Sequence, residues 1–431
     1  MNRKNASWAI TLTLFTVTLG FASCALGVEE VPVVAIPGFS LEPGPQNRAR
    51  LVEITCSTDG ALIRYTVDGS EPDSTSPVYS GPIPIAETMK AIACKDGWDT
   101  SSCAEALYEL TYTPYTDFGR TSAGGQVTLG EYTGSDEYVA IPPTADSGMP
   151  VTALNQTFFK VDGNTVIKRV TVPESVTTIG DSVFSGCSAL LSVDIGSKVT
   201  SLGNGAFLRC TSLTAIELPD GLLSIGNQAF YRCDALETVS FGSKLQSIGV
   251  QAFFMCDALK EIDAPDSLQT IGELAFAHCE ALERASLGSS LTEFPPHAFE
   301  GCLRLSSLPD APNVTKMLDS AFENCDALET VDLGSINELG DSVFQGCDAL
   351  SSVVLGYGIT TMPYGVFGWC HALTSVRLYP MVPPTLDTYT FYGDPSLMPD
   401  RTYYVPSAKL LDYQAADVWK TFKDDIVADS N

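Results

Sequence analysis

Residues 222–259 read LLSIGNQAFYRCDALETVSFGSKLQSIGVQAFFMCDAL, and S-I-G-x-Q-A-F-x-x-C-D-A-L occurs in them twice, 23 residues apart. The unit extends in both directions. Cysteines fall at Cys187, Cys210, Cys233, Cys256, Cys279, Cys302, Cys325, Cys347 and Cys370, at intervals of 23 with a single 22. A Phe precedes each by three positions, from Phe184 to Phe367, and a Leu follows each by three, from Leu190 to Leu373. Self-similarity at such a period marks a solenoid. Within one unit, Leu213-Thr214-Ala215-Ile216-Glu217-Leu218 ends in period-two alternation, which predicts a short strand with one buried face. Pro219, or the Gly of other copies (Gly196, Gly242, Gly288), ends it. Ile-Gly then turns the chain, and A-F-x-x-C predicts a short helical or 3₁₀ piece with Phe inward. One unit cannot bury its own apolar residues, whereas stacked units can. With strands about 4.8 Å apart, some ten rungs give a parallel sheet on the order of 50 Å long.

Composition excludes several functions. Among 431 residues, 24 Lys and Arg face 52 Asp and Glu, a formal net charge of −28. Such a surface does not suit nucleic acid, whose phosphates attract Lys and Arg, or unaided binding to anionic lipid. The three histidines, His278, His297 and His371, recur in no motif, and no G-x-x-x-x-G-K-[ST] phosphate loop is present. The expectation is a non-enzymatic chain without cofactor or metal.

The repeat unit resembles the BspA-like, treponemal class of leucine-rich repeat over residues 151–380. The resemblance implies a parallel sheet on a concave face and short helical or 3₁₀ segments on a convex one. Residues 116–150 read as a linker and opening cap, and 381–431 as a closing cap with a final strand and an amphipathic helix. Caps are required because an open solenoid end exposes core. Phe294-Pro295-Pro296, Met317-Leu318 and Met362-Pro363 replace Ile-Gly, and Asp310 stands where other strands bury Leu. These rungs are expected to be distorted, not absent.

Residues 28–115 lack the period. Ile63–Val67 alternates and is followed by Asp68-Gly69, a hairpin signal. YTVDGSEP (65–72) and AIACKDG (91–97) resemble the chitobiase/β-hexosaminidase C-terminal module, which implies a fibronectin type III-like β-sandwich and no catalytic residues. Cys56, Cys94 and Cys103 leave open a Cys56–Cys94 bridge, a Cys94–Cys103 bridge or free thiols. Ahead of this module, Arg3 and Lys4 precede the uncharged stretch 8–22, too short to span a bilayer but suited to a secretory leader. Phe21-Ala22-Ser23-Cys24 resembles the relaxed lipobox of bacterial lipoproteins. That resemblance makes 1–23 a lipoprotein signal peptide, Cys24 the lipid-bearing residue and the outer membrane or cell surface the destination. Cleavage after Ala25-Leu26-Gly27 and release of a soluble protein is the other reading.

Three columns of the repeat are candidate sites. Zinc sites use clustered cysteines, and Cβ atoms about 4.8 Å apart exceed disulfide reach, so the cysteine column reads as small core residues. The residue after each Cys (Ser188, Thr211, Asp234, Asp257, Glu280, Leu303, Asp326, Asp348, His371) reads as a turn cap, with calcium held by Asp234, Asp257 and Glu280 as the alternative. The outward strand positions lie five and seven residues after each Cys. They include Asp194, Glu217, Glu261, Asp263, Arg284, Asp332 and Arg377 among Ser and Thr, and no aromatic. This face is either solvated sheet or a binding surface anchored by Arg284 and Arg377, with Glu261 and Asp263 toward a basic partner. The family resemblance adds adhesion to host extracellular matrix or other cell-surface proteins. In the first module, Tyr65, Tyr79 and Trp98 offer a glycan-stacking patch or core. The expected membrane link runs only through Cys24.

Overall fold

The structure, a computed structural model, describes residues 31–155, 158–159, 165–387, 389–393 and 400–429. The leader and Cys24 lie outside the described residues. Two bodies of β structure follow one another along the chain. In the first, strands Gly44–Asn47, Ala104–Thr111, Thr88–Cys94 and Leu62–Thr66 form one sheet in that order. Thr88–Cys94 alternates strictly, burying Met89, Ala91 and Ala93. Met89 packs with Val52, Ile85, Ala106 and Tyr108 in a small core of its own. The hairpin after Leu62–Thr66 is wider than Asp68-Gly69 implies. The return pairing is made by Pro77–Tyr79, with the Tyr79 N–H donating to Ile63 O at 2.9 Å. The Asp68 carboxylate accepts from Ser70 N–H (3.0 Å) and that of Asp73 from Thr75 N–H (2.8 Å), and these side-chain turns hold the longer loop. Cys56, Cys94 and Cys103 are free thiols, so neither bridge forms.

The second body opens with an antiparallel hairpin, Phe118–Ala123 with Gln126–Tyr132. Gly124 and Gly125, both at positive φ, make its turn. Onto the hairpin stack Val151–Leu154, Thr178–Ile179, Ser201–Leu202, Ser224–Ile225, Ser247–Ile248 and Thr270–Ile271, all parallel, and from Thr178–Ile179 onward paired at the repeat spacing of 23. Sequence reading saw Ile-Gly only as a turn, yet it carries a strand ladder. The Gly that follows has a separate cause. A Cβ on Gly226 would lie 2.6 Å from the Gly203 carbonyl carbon, and one on Gly272 2.4 Å from the Val250 nitrogen, so rungs touch there backbone to backbone.

The strand read from L-x-x-V-x-L forms the other ladder. Arg169–Thr171 pairs with Ser192–Asp194, Ala215–Glu217 with Thr238–Ser240, and Glu261–Asp263 with Arg284–Ser286. Thr330–Leu333, Ser352–Leu355, Ser375–Leu378, Thr402–Pro406 and Ile426–Asp429 continue it to the end. The Cys302 rung departs as expected. Ser286 bridges Asp310, 24 residues on, and Pro309 is buried while Asp310 is exposed. This one-residue slip leaves a bridge where a strand would stand. The other departures are mild: Phe294, Met317 and Met362 fill the buried Ile position, and their rungs keep a strand there.

The A-F-x-x-C segment is built from i→i+3 turns, such as Cys210 N–H to Phe207 O at 3.1 Å, and not from a continuous helix. The residues five before and one before each Cys are left-handed, for example Gln251 and Met255 at φ 55° and 56°. A non-glycine residue there costs about 1–2 kcal/mol, and it interrupts helical φ/ψ on every rung. The compensation is a third ladder between rungs: Phe207 N–H donates to Ala229 O and Phe230 N–H to Ala252 O, both at 2.7 Å.

Inside, the phenylalanines form one column. Neighbouring rings from Phe184 through Phe367 to Phe391 lie 4.8–5.7 Å apart and within 17° of parallel. Each such pair contributes about 0.5–1.5 kcal/mol beyond its burial. The cysteines are small core residues, as expected, but also donors. Each thiol from Cys210 onward bonds the carbonyl of the Phe one rung earlier, as in Cys256 to Phe230 O at 3.2 Å. Burial pushes these thiols up, to about 12 for Cys233, Cys279 and Cys370. At the C-terminal end the helix Leu410–Ala415 is short, and the chain adds the strand Ile426–Asp429 after it. Buried Tyr403, Tyr413 and Trp419 close the core, with Trp419 Nε1–H donating to Pro384 O at 2.8 Å.

Phe253→Ala removes a ring stacked on both Phe230 and Phe276. It should cost about 3–5 kcal/mol. In a stack coupled mainly between neighbours the loss also splits cooperativity. Urea denaturation followed by far-UV circular dichroism should change from one transition to two, or shift its midpoint down.

Candidate functional site

The outward side of the L-x-x-V-x-L ladder holds the seven strand residues nominated from sequence. Its backbone fixes their spacing: Asp194 stands beside Thr171, Glu217 beside Ser240, and Glu261 and Asp263 beside Arg284 and Ser286. The nominated residues divide into separate places. Asp194 and Glu217 line a depression of about 380 Å³ with Arg169, Ser192 and Pro84. Glu261, Asp263 and Arg284 line another of about 370 Å³, closed by Ser307 and Asp310 of the slipped rung. Asp332 and Arg377 stand further along the ladder and join neither.

The pairings correct the sequence-based choice of anchors. Arg284 is bonded to Glu261 across one rung. Arg377 pairs with Asp429 at 3.0 Å and lies over the Tyr404 ring, its guanidinium carbon 5.4 Å from the centroid. Both arginines are therefore engaged within the chain, and Glu261 with them. Asp194 is held by a residue the sequence reading missed. Arg169, 6% exposed, reaches both Asp194 oxygens through Nη2 (2.8 and 2.6 Å) and donates from Nη1 to Ser192 Oγ at 3.1 Å. Arg169 lies 23 residues before Ser192, so one further step of the repeat back from Cys187 would have found it. Among the described residues Asp332 accepts only the nearby Gly334 N–H, at 2.9 Å. Glu217, Asp263 and Asp310 have no ion pair among the described residues. The face thus presents unpaired acid.

Aromatic anchors absent from the outward strand positions appear beside them. Tyr357, 71% exposed, stacks on Tyr379 at 5.4 Å, and the pair borders a depression of about 320 Å³ with Met381 and Asp429. They occupy the loop after the strand, where no alternation draws attention to them. In the first domain the expected trio divides. Tyr65 and Tyr79 meet edge to face at 6.4 Å and 84°, which is no flat platform. Trp98 instead carries the Lys95 ammonium 4.9 Å from its ring centroid. A groove of about 690 Å³ runs past Tyr65, Asp68, Ser70, Pro77 and Ile83 without Trp98 or Tyr79.

The residues after each Cys do not cap turns. That task falls to another column: Asp181 accepts Asn204 N–H (2.7 Å), Asn204 accepts Asn227 N–H (2.9 Å), and Asn227 accepts Val250 N–H (2.9 Å), each from the next rung. Asp234, Asp257 and Glu280 simply stack. Burial, then the charges of Asp234 and Glu280, hold the Asp257 carboxyl above the usual carboxylate range.

A stack of parallel rungs, with Phe, Cys and Leu at fixed inner positions, is a leucine-rich repeat solenoid joined to a small β domain. The description "BspA type leucine rich repeat region" matches residues 152–283 and 269–398 in six copies. The chain belongs to that family. Residues 41–105 match the chitobiase/β-hexosaminidase C-terminal domain. Among solved structures the chain is similar to a leucine-rich cell surface protein of Faecalibacterium prausnitzii, at 23% identity, over 69% of this chain and 89% of that one, with a TM-score of 0.43. It is similar to the leucine-rich repeat protein of T. pallidum at 27% identity, over 56% and 91%, TM-score 0.40. A leucine-rich repeat protein of Bacteroides ovatus matches at 24% identity, over 68% and 78%, TM-score 0.45. No curated protein matches the chain.

Because Asp257 binds its proton more tightly folded than unfolded, its contribution opposes folding above its folded pKa and fades as pH falls through that value. Asp257→Asn should therefore stabilise at pH 7, by about 0.5 kcal/mol for an exposed site. The gain should shrink toward pH 4, read as the difference in Tm between the two chains.

Proposed function

We propose that this chain is a non-enzymatic bacterial cell-surface lipoprotein, tethered at Cys24, that presents the strand face of its solenoid to a basic protein partner. One observation carries the choice of partner. The three arginines of that face, Arg169, Arg284 and Arg377, are consumed by Asp194, Glu261 and Asp429, while Glu217, Asp263 and Asp310 stay without ion pairs among the described residues. Opposite charge across an interface steers encounter and penalises wrong partners. Tyr357 and Tyr379 supply the aromatic kind of anchor that interface hot spots favour. Family membership and the leader sequence support display outside the cell, where host matrix proteins or proteins of other cells are the candidates. The first domain serves as a spacer. Glycan binding there is the second reading, favoured by the groove beside Tyr65.

Binding to a panel of extracellular matrix proteins and a glycan array separates the readings. Saturable protein binding should weaken with salt. It should fall about tenfold or more in a Glu217→Lys, Asp263→Lys double variant. Binding that ignores both changes removes the strand face, and glycan binding lost in Tyr65→Ala promotes the first domain.

The anchor is tested separately. Cys24→Ala should move the protein from the membrane fraction to the medium, measured by immunoblot of fractionated cells. Unchanged partitioning sinks the lipoprotein reading.

A further inference from the structure

Two of the chain's three histidines reach the same glutamate, Glu300, on the turn side of the solenoid, although they hold different positions in the repeat. His278 precedes Cys279 by one, and His297 precedes Cys302 by five. Between them stands Glu300. Its Oε2 lies 2.8 Å from His297 Nδ1 and its Oε1 4.0 Å from His278 Nε2. Glu323, one rung further, completes the group: one donor atom each from His297, Glu300 and Glu323 lies within 4.8 Å of the others. Periodicity does not produce this arrangement, because only the two glutamates are repeat equivalents, each two residues before its Cys.

We propose that His297, Glu300 and Glu323, with His278 as fourth ligand, bind a late first-row divalent cation of the Zn²⁺ type. Two imidazoles and two carboxylates suit zinc and its neighbours, whereas calcium and magnesium take all-oxygen shells. Tetrahedral zinc with ligands at about 2.0–2.2 Å places donor atoms about 3.4 Å apart. Within the trio of His297, Glu300 and Glu323 the donor atoms lie from 2.8 Å to within 4.8 Å of one another, which brackets that value; His278, outside the trio and 4.0 Å from Glu300 Oε1, completes the shell by a change of rotamer. The side chains are supported from behind. Glu323 Oε1 accepts Gln345 Nε2–H at 3.0 Å. The His278 ring packs edge to face on Phe254 at 5.4 Å, and its Nδ1 rests where a Cβ on residue 301 would come within 2.5 Å, space that Gly301 leaves open.

The site's place in the fold gives it a purpose. It joins the rungs of Cys279, Cys302 and Cys325, and the middle one is the rung whose outer ladder slips at Ser286–Asp310. A cation there ties three rungs through their turn segments.

The test is a Zn²⁺ titration of the purified full-length chain, with Cys56, Cys94 and Cys103 blocked by N-ethylmaleimide, read by calorimetry and by thermal melting. The expected result is one saturable equivalent and a raised Tm. His297→Asn, His278→Asn and Glu300→Gln should each weaken binding at least tenfold. Asn suits the left-handed backbone at 278 and 297 (φ 58° and 56°), and an unchanged metal-free melt shows that these variants fold. His371→Asn, whose histidine pairs with Asp348 elsewhere, should bind as the parent does. The proposal is overturned if the parent binds no zinc, which would leave an ordinary histidine–glutamate pair, or if His297→Asn binds undiminished.

Discussion

Everything in the solenoid depends on the contact between each phenylalanine ring and the next. The ring column sets the rise per rung at 4.8–5.7 Å, close to the natural spacing of hydrogen-bonded strands. Stacking and backbone pairing therefore want the same separation, and neither strains the other. The cysteine thiol makes a third link at the same spacing, from each rung to the Phe carbonyl of the one before. Serine would donate as well, but it costs more to bury; alanine would fill the space without donating. Cysteine meets both demands, which accounts for its recurrence from Cys210 to Cys370.

Much of this was legible because the repeat states it nine times. Phe, Cys and Leu at constant offsets identify the inner face, and the alternation in Ala215–Glu217 or Glu261–Asp263 marks a strand. The Ile-Gly ladder was less visible because two residues, such as Ser247 and Ile248, are too few for a period to show. The left-handed residues were hidden for a different reason. Arg232, Met255, Leu274 and Trp369 do not advertise positive φ; the inter-rung hydrogen bonds impose it. The wide loop after Thr66 escaped because Asp68-Gly69 is a hairpin signal by itself, and Asp73 changes the outcome from five residues away.

The candidate surface shows the same division. Which residues point outward follows from the two-residue period, and all seven nominated positions do lie on the strand face. Which charges remain available does not follow, because it depends on neighbours far apart in the chain: Asp429 reaches Arg377 only after the C-terminal strand returns, and Arg169 meets Asp194 across a rung that has no cysteine. The convergence of His278 and His297 is of this kind too. Their offsets differ, so no column contains both.

The thiol column has a consequence for how the chain must mature. Folded, the nine repeat thiols are sealed away from solvent, with burial holding the eight from Cys210 onward in the protonated, unreactive form. A chain delivered unfolded through a secretory route would show all nine at once to an oxidising compartment, where pairs formed at random would block stacking. Productive maturation is then a race. Rungs must close one upon another, each hiding the sulfur of its neighbour, before an oxidant reaches them, and every rung that closes shortens the list of residues left at risk.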